Sequence, residues 1–417
     1  MVSLFNKSPK KRRGFTLNKK TAPVRSWGGA PRKITANQQG WQWLKVDPII
    51  VFVSLALLLF GLLFTYSSSA FDSNFFFKRQ FIFDFIGIVA VLFLSQTYDK
   101  LQKWKIFRPM NLMYITWAFL IIVLFTRTQA NVHRWIDFGF FKLQPSEIAK
   151  VTLVIYTAHY LDIYAGKITK NWRLLLKPIG VAVVTLGLIL AEKDIGTPIL
   201  MGGVFVIMLL VAGARWKHLF GLATVSAPIW IPIAIHQLFA VDYRRDRILS
   251  FLNPFAKGAG IGYQLKLSLL AVASGGWFGK GLGKSELKLE YLPAAHTDFI
   301  FSIFSEEVGL FGCGLLLLGF VVLMIRGIAL ARVAKTHFRG LVIFGLTLTI
   351  CLQAFFNMAM AIGLTPTKGI ALPFFSYGGS SVVMTLVMIG IILNLSAVDR
   401  GQKNIREDIT QYKNRNR

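Results

Sequence analysis

The run Lys288-Leu-Glu-Tyr-Leu-Pro-Ala-Ala-His-Thr-Asp298 sets Lys288, Glu290, His296, Thr297 and Asp298 directly against Phe299-Ile-Phe-Ser-Ile-Phe304, the start of a long apolar stretch. An ionised acid carried into hydrocarbon costs about a few kcal/mol, so Asp298 at the lip of an apolar helix is a functional-site candidate, as a general base or charge stabiliser. The competing reading is an interfacial N-cap acid. Glu147 and Lys150 stand three residues apart after Pro145, a favoured first helical position, and so share one helix face. Lys150 then lies roughly one turn inside the membrane, where such pairs usually line a cavity rather than merely steady a helix start. Ser302 and Glu306 continue the face of Asp298, and Glu307 points away from it. Ser302 reads best as an interhelical hydrogen-bonding residue. Glu192-Lys-Asp194, with almost no loop around it, holds three charges near the outer surface in a tight turn, the plain alternative being an exposed hairpin tip.

Arg244, Arg245, Arg247 and Lys368 add cations on the side of Asp298. Four cations around one acid suit an anionic substrate, because guanidinium groups match phosphate or diphosphate oxygens in pairs. Headgroup anchoring is the ordinary alternative. Gly279-Lys-Gly-Leu-Gly-Lys-Ser285 imitates a phosphate loop but has Phe278 where the first glycine belongs. It reads as a flexible exposed turn in which Lys280 and Lys284 tolerate alanine. The six histidines lack paired ligand spacing, and Cys313 and Cys351 fall inside apolar segments, so neither a zinc site nor a disulfide framework is implied.

The elements that must position these groups are membrane helices. Of 417 residues, 54% are hydrophobic and only 16% charged, with a mean hydropathy of +0.55, which excludes an ordinary soluble chain. Apolar runs long enough to cross about 30 Å of hydrocarbon recur, at 48–70, 80–97, 109–126, 146–163, 177–191, 195–213, 217–239, 298–325, 340–364 and 379–398. The expected fold is all-α and polytopic, with about ten transmembrane helices and a large extracytoplasmic loop, 240–297, between helices 7 and 8. No strand-length alternation supports a β-barrel. The net charge of +28 resides at the ends of the apolar runs, so it is a topology signal, and nucleic acid is set aside. Cations concentrate on the segments that share a side with both termini, which places both ends in the cytoplasm. Residues 1–46 form a basic disordered tail suited to anionic lipids. Residues 47–398 form the membrane domain and 399–417 a cytoplasmic C-terminal tail.

Three motifs together resemble the SEDS family (shape, elongation, division and sporulation), on its cell-division branch. They are Arg134-Trp-Ile-Asp137 with Gln144-Pro-Ser-Glu-Ile-Ala-Lys150; Lys288 through Phe301; and Pro366-Thr-Lys-Gly-Ile-Ala-Leu-Pro-Phe-Phe-Ser-Tyr-Gly-Gly-Ser-Ser381. The resemblance implies a peptidoglycan glycosyltransferase of the bacterial inner membrane that polymerises lipid II into β-1,4 glycan strands at the division septum. It implies as partners a class B penicillin-binding transpeptidase and other membrane proteins of the division machinery. It makes Asp298 catalytic and carries over Glu147, Lys150 and Asp194 (in Asp-Ile-Gly-Thr) as supporting residues; beside these, Glu290, His296, Arg244, Arg247 and Lys368 are candidates for holding the substrate. Ala294 departs from the glutamate of many relatives.

The chemistry fits independently. Lipid II carries a diphosphate leaving group, so the reaction asks for cations and one base, with inversion at the anomeric carbon. The sequence identifies no cofactor with certainty; a divalent cation, magnesium or manganese, between carboxylates and diphosphate stays open. Two rival functions use the same features: a lipid II flippase, against which the clustering of charges toward one face counts, and a non-catalytic division scaffold, which leaves Asp298 without a task.

Overall fold

The structure, a computed structural model, describes residues 46–69, 75–126, 134–139, 141–239, 251–253, 255, 261–286, 297–367 and 369–415. The long helices among them are α1 Pro48–Ser69, α2 Phe75–Leu101, α3 Pro109–Leu124, α4 Pro145–Ile163, α5 Leu176–Ala191, α6 Gly196–Val211 and α7 Trp216–Phe239, then α8 Ile261–Ser274, α9 Ile300–Val333, α10 His337–Ala361 and α11 Gly379–Arg415. Each expected span coincides with a helix. Six helices (α1, α2, α5, α9, α10 and α11) are long and apolar enough to cross a membrane, while α3 and α6 are apolar but shorter. The last helix runs on through Arg415, into the segment expected as a tail.

Local chemistry sets the ends. Pro109 and Pro145 begin α3 and α4 at the position where a missing N–H costs nothing. Asp47 caps α1, its Oδ1 accepting from the amides of Ile49 and Ile50. Thr336 caps α10 by accepting from the Arg339 amide. Helix α4 is buried along most of its length, including Glu147 and Lys150, and packs between α3, α6 and α10. That central position is why it carries charges that a lipid-facing helix could not. Two polar links tie α1 to α9 at opposite ends: Arg326 with Asp47 at 2.8 Å, and the Ser67 hydroxyl donating to Glu307 at 2.8 Å.

Two expectations give way here. The 240–297 segment contains α8, whose Ser268 hydroxyl lies 2.6 Å from that of Ser302 and donates to the Ala361 carbonyl at 2.7 Å. Ser302 is thus an interhelical hydrogen-bonding residue. The glycine-rich stretch is not a loose turn. Helix α9 is broken at Gly309 (φ 68°, ψ −169°), a conformation open to glycine alone, and residues 275–281 fill the gap. The Lys280 and Gly281 amides donate to the Glu306 and Glu307 carbonyls, and the Leu310 and Phe311 amides donate to the Gly276 and Trp277 carbonyls. A Cβ on Gly279 would strike the Glu307 carbonyl, so the backbones meet only because glycine stands there. Lys280, expected to be exposed and dispensable, pairs at 2.8 Å with the fully buried Glu306, whose other oxygen accepts from the buried Ser285 hydroxyl at 2.5 Å. Beyond Asp298 the stripe therefore serves packing: Ser302 holds α8 and Glu306 its following loop.

Candidate active site

The site is built where α4, α6, the start of α9, α10 and the 369–381 segment converge around a cavity of about 390 Å³. Lys150 points into it from α4. Its ammonium donates to Gln353 Oε1 at 2.6 Å and pairs with Glu147 at 2.8 Å, all three side chains being buried. Gln353 passes the chain on, its amide donating to the Ala371 carbonyl at 2.8 Å. One turn along α10, Asn357 donates to the main-chain carbonyls of Asp298 at 2.9 Å and Ile370 at 2.7 Å. Ser376 donates to the Thr297 carbonyl at 2.7 Å and accepts from the Leu372 amide. The acid of α9 and the 369–376 segment are thereby fixed to one another and to α10 through side chains that no solvent reaches.

Asp298 is half-buried and lines the cavity. Arg134 lines it too. A Cβ placed on Gly369 would lie 3.3 Å from both Arg134 Nη1 and Asp298 Oδ2, so guanidinium and carboxylate both border the space that a side chain at this glycine would take. Arg134 is aimed from the other end by Asp194: its Nη2 donates to the Lys193 carbonyl at 2.9 Å and lies 3.7 Å from Asp194 Oδ1. Asp194 in turn caps α6, accepting from the Gly196 and Thr197 amides and from the Thr197 hydroxyl at 2.7 Å. The Nε–H of Arg134 has no partner among the described residues. Arg79 and Lys142 also line the cavity, so four cations and the two acids Glu147 and Asp298 share one cleft.

At the Glu192-Lys-Asp194 turn the alternative of an exposed tip falls away: Glu192 and Asp194 are both buried. Lys193 takes a positive φ of 63°, which reverses the chain and sends both carboxylates inward with the ammonium outward. Burial, then the neighbouring Asp194 charge, pushes the Glu192 carboxyl up to about 9 against the opposing pull of Arg134. Both its oxygens lack a partner among the described residues. The folded state therefore holds a proton that the unfolded chain releases from about 4.5 upward, and stability contributed by this group falls as pH rises through that window. Glu192→Gln is expected to raise the apparent Tm in detergent at mildly alkaline pH and to leave it nearly unchanged at acidic pH; equal shifts at both would refute the assignment.

Of the residues expected from sequence, Asp298, Lys150 and Glu147 line the cavity, and Asp194 reaches it through Arg134. Lys368, Glu290, His296, Arg244 and Arg247 lie outside the described residues. Arg79 and Lys142 were not singled out, and Arg134 entered only as the first residue of the Arg134-Trp-Ile-Asp137 motif, with no role assigned. Arg134 had a signal, its place in a long polar segment beside a tryptophan. Arg79 had none beyond lying at the end of a short interhelical segment. Among the described residues no three His, Cys, Asp or Glu side chains converge as metal ligands.

Residues 48–401 match the model of the cell cycle protein family of FtsW, RodA and SpoVE. The chain belongs to that family, which is the SEDS family its motifs resemble. It is 36% identical to the probable peptidoglycan glycosyltransferase FtsW of Geobacter metallireducens, covering 86% of this chain and 96% of that one. It is 37% identical to the stage V sporulation protein E of Bacillus subtilis, over 85% and 98%. Among solved structures, a chain from a peptidoglycan synthase complex that coordinates polymerization and crosslinking superposes with a TM-score of 0.69 at 26% identity, over 86% of this chain and 99% of that chain. The rod shape determining protein RodA of Thermus thermophilus gives 0.63 at 26%, over 86% and 98%. This SEDS protein is accordingly a multi-pass protein of the bacterial inner membrane.

Proposed function

We propose that this SEDS protein is a peptidoglycan glycosyltransferase of the FtsW type that polymerises lipid II into β-1,4 glycan strands during septal wall synthesis. The observation that carries the reading is that Asp298 and Arg134 border the same space beside Gly369 in a cleft that also holds Lys150, Arg79 and Lys142. One acid among several cations is what an inverting transfer from a diphosphate requires. Asp298 takes the proton of the acceptor sugar's 4-hydroxyl as that oxygen attacks the donor's anomeric carbon. The bond from that carbon to the diphosphate oxygen breaks, and the diphosphate leaves with the electron pair. Arg134, whose Nε–H has a donor to spare, and Lys150 stabilise the charge that gathers there. Asp194 acts through Arg134 as a positioning residue, and Glu147 acts in the same way through Lys150.

On this reading the Asp298 side of the membrane is the periplasmic one, with residues 240–297 there and both termini in the cytoplasm, the basic tail lying against anionic lipid. The partners are a class B transpeptidase and other membrane proteins of the division septum. Incubation of the purified protein with labelled lipid II in detergent, with and without its transpeptidase, tests the proposal. Glycan ladders are expected. Detergent abolishes the two compartments, so a flippase would yield no polymer, and absence of ladders with the partner present would overturn the assignment.

A further inference from the structure

The two links between α1 and α9 measure the membrane. Asp47 and Ser67 are twenty residues apart on α1, and Glu307 and Arg326, which they meet, are nineteen apart on α9. At 1.5 Å per residue the α1 interval is about 30 Å, the thickness of the hydrocarbon layer, and α9, despite its break at Gly309, is linked to α1 at both ends of that interval. Ser67 and Glu307 therefore mark the membrane rim on the Asp298 side. The backbone bonds that fasten residues 275–281 to α9 fall at positions 306, 307, 310 and 311, astride that level.

What this loop shows to its surroundings is not polar. Trp277 is 72% exposed, Phe278 83% and Leu282 57%. The backbone bonds bring it beside Leu310 and Phe311 of α9, which are exposed, as is Leu315 about one turn further on. The Lys280 and Gly281 amides donate to α9 carbonyls and the Gly279 amide donates to the Gly275 carbonyl, so these amides are satisfied before any entry into an apolar phase. Tryptophan beside phenylalanine and leucine, with the exposed Lys284 next in the chain, is the composition that settles at the boundary between acyl chains and headgroups.

We infer that residues 275–286 are a membrane anchor, seating Trp277, Phe278 and Leu282 in the phospholipid leaflet on the Asp298 side, alongside Phe311. The occupant of the patch is lipid, because the patch is level with the rim and lies beside the exposed apolar residues of α9. Through the backbone bonds to α9 the anchor sets the height of Asp298 over the membrane, where a lipid-linked substrate presents its headgroup.

The test compares wild-type protein and Trp277→Phe in nanodiscs of phosphatidylethanolamine and phosphatidylglycerol, the difference in their tryptophan emission reporting on Trp277. Phospholipids brominated near the glycerol end of the chain are expected to quench most of that difference, and aqueous acrylamide little of it. Quenching dominated by acrylamide would place Trp277 in water, and quenching by neither would place it under protein. Both outcomes would overturn the anchor. Moving the reporter one position, with Phe278→Trp in the Trp277→Phe background, is expected to repeat the lipid-dominated result.

Discussion

Asp298→Asn is expected to lower lipid II polymerisation by about 10² to 10⁴, the range in which removal of a positioned general base falls. The amide keeps the volume of the carboxylate and cannot accept the proton. The tether of this residue makes the experiment clean: Asn357 holds residue 298 by its main-chain carbonyl, and Ser376 holds the carbonyl of Thr297. Neither bond uses the side chain that is replaced. The variant should therefore insert, keep its apparent Tm within a few degrees of wild type and bind its transpeptidase, while ladder formation collapses. Ladders at the wild-type rate would remove Asp298 from the chemistry.

Lys150→Ala is expected to have two effects that a second variant separates. Stability falls, because the buried Glu147 carboxyl is left without its partner; breaking one half of a buried ion pair costs roughly 3–5 kcal/mol. Turnover in detergent falls by at least about tenfold, or about 1.4 kcal/mol of barrier, if the ammonium stabilises the departing diphosphate. The double variant Glu147→Gln with Lys150→Met removes both charges at similar volume. It is expected to regain most of the lost Tm and none of the lost turnover. Recovery of both together would reduce Lys150 to a structural role, since the pair would then be coupled only through folding.

The helices were legible because hydrocarbon imposes one length and one composition on whatever crosses it, and the interruptions at Pro109, Pro145 and the basic clusters fall where helices start and stop. Asp298, Glu147 and Lys150 were legible for a related reason: each is an ionisable group in an apolar setting, which needs a purpose or a partner. What escaped notice depends on tertiary approach. Glu192 becomes buried only because Lys193 adopts a left-handed turn that its residue type does not announce. Arg134 and Asp298 border the same space beside Gly369, and a missing side chain leaves no pattern of its own. Likewise the break in α9 at Gly309 lies in a stretch with several glycines, and nothing local tells the one that ends a hydrogen-bond ladder from those that merely pack.

That break decides which parts of the chain open together. The first turns of α9 have surrendered part of their own ladder to residues 276–281, so helix and loop hold each other's amides. Neither can fray without exposing the other's unpaired groups in a place where water is scarce. The two segments, and Asp298 with them, thus form a single cooperative unit whose local unfolding is all-or-none. A loop that looks like an insertion between helices is thermodynamically a missing turn of α9, and shortening or grafting it would melt the helix start that carries the acid.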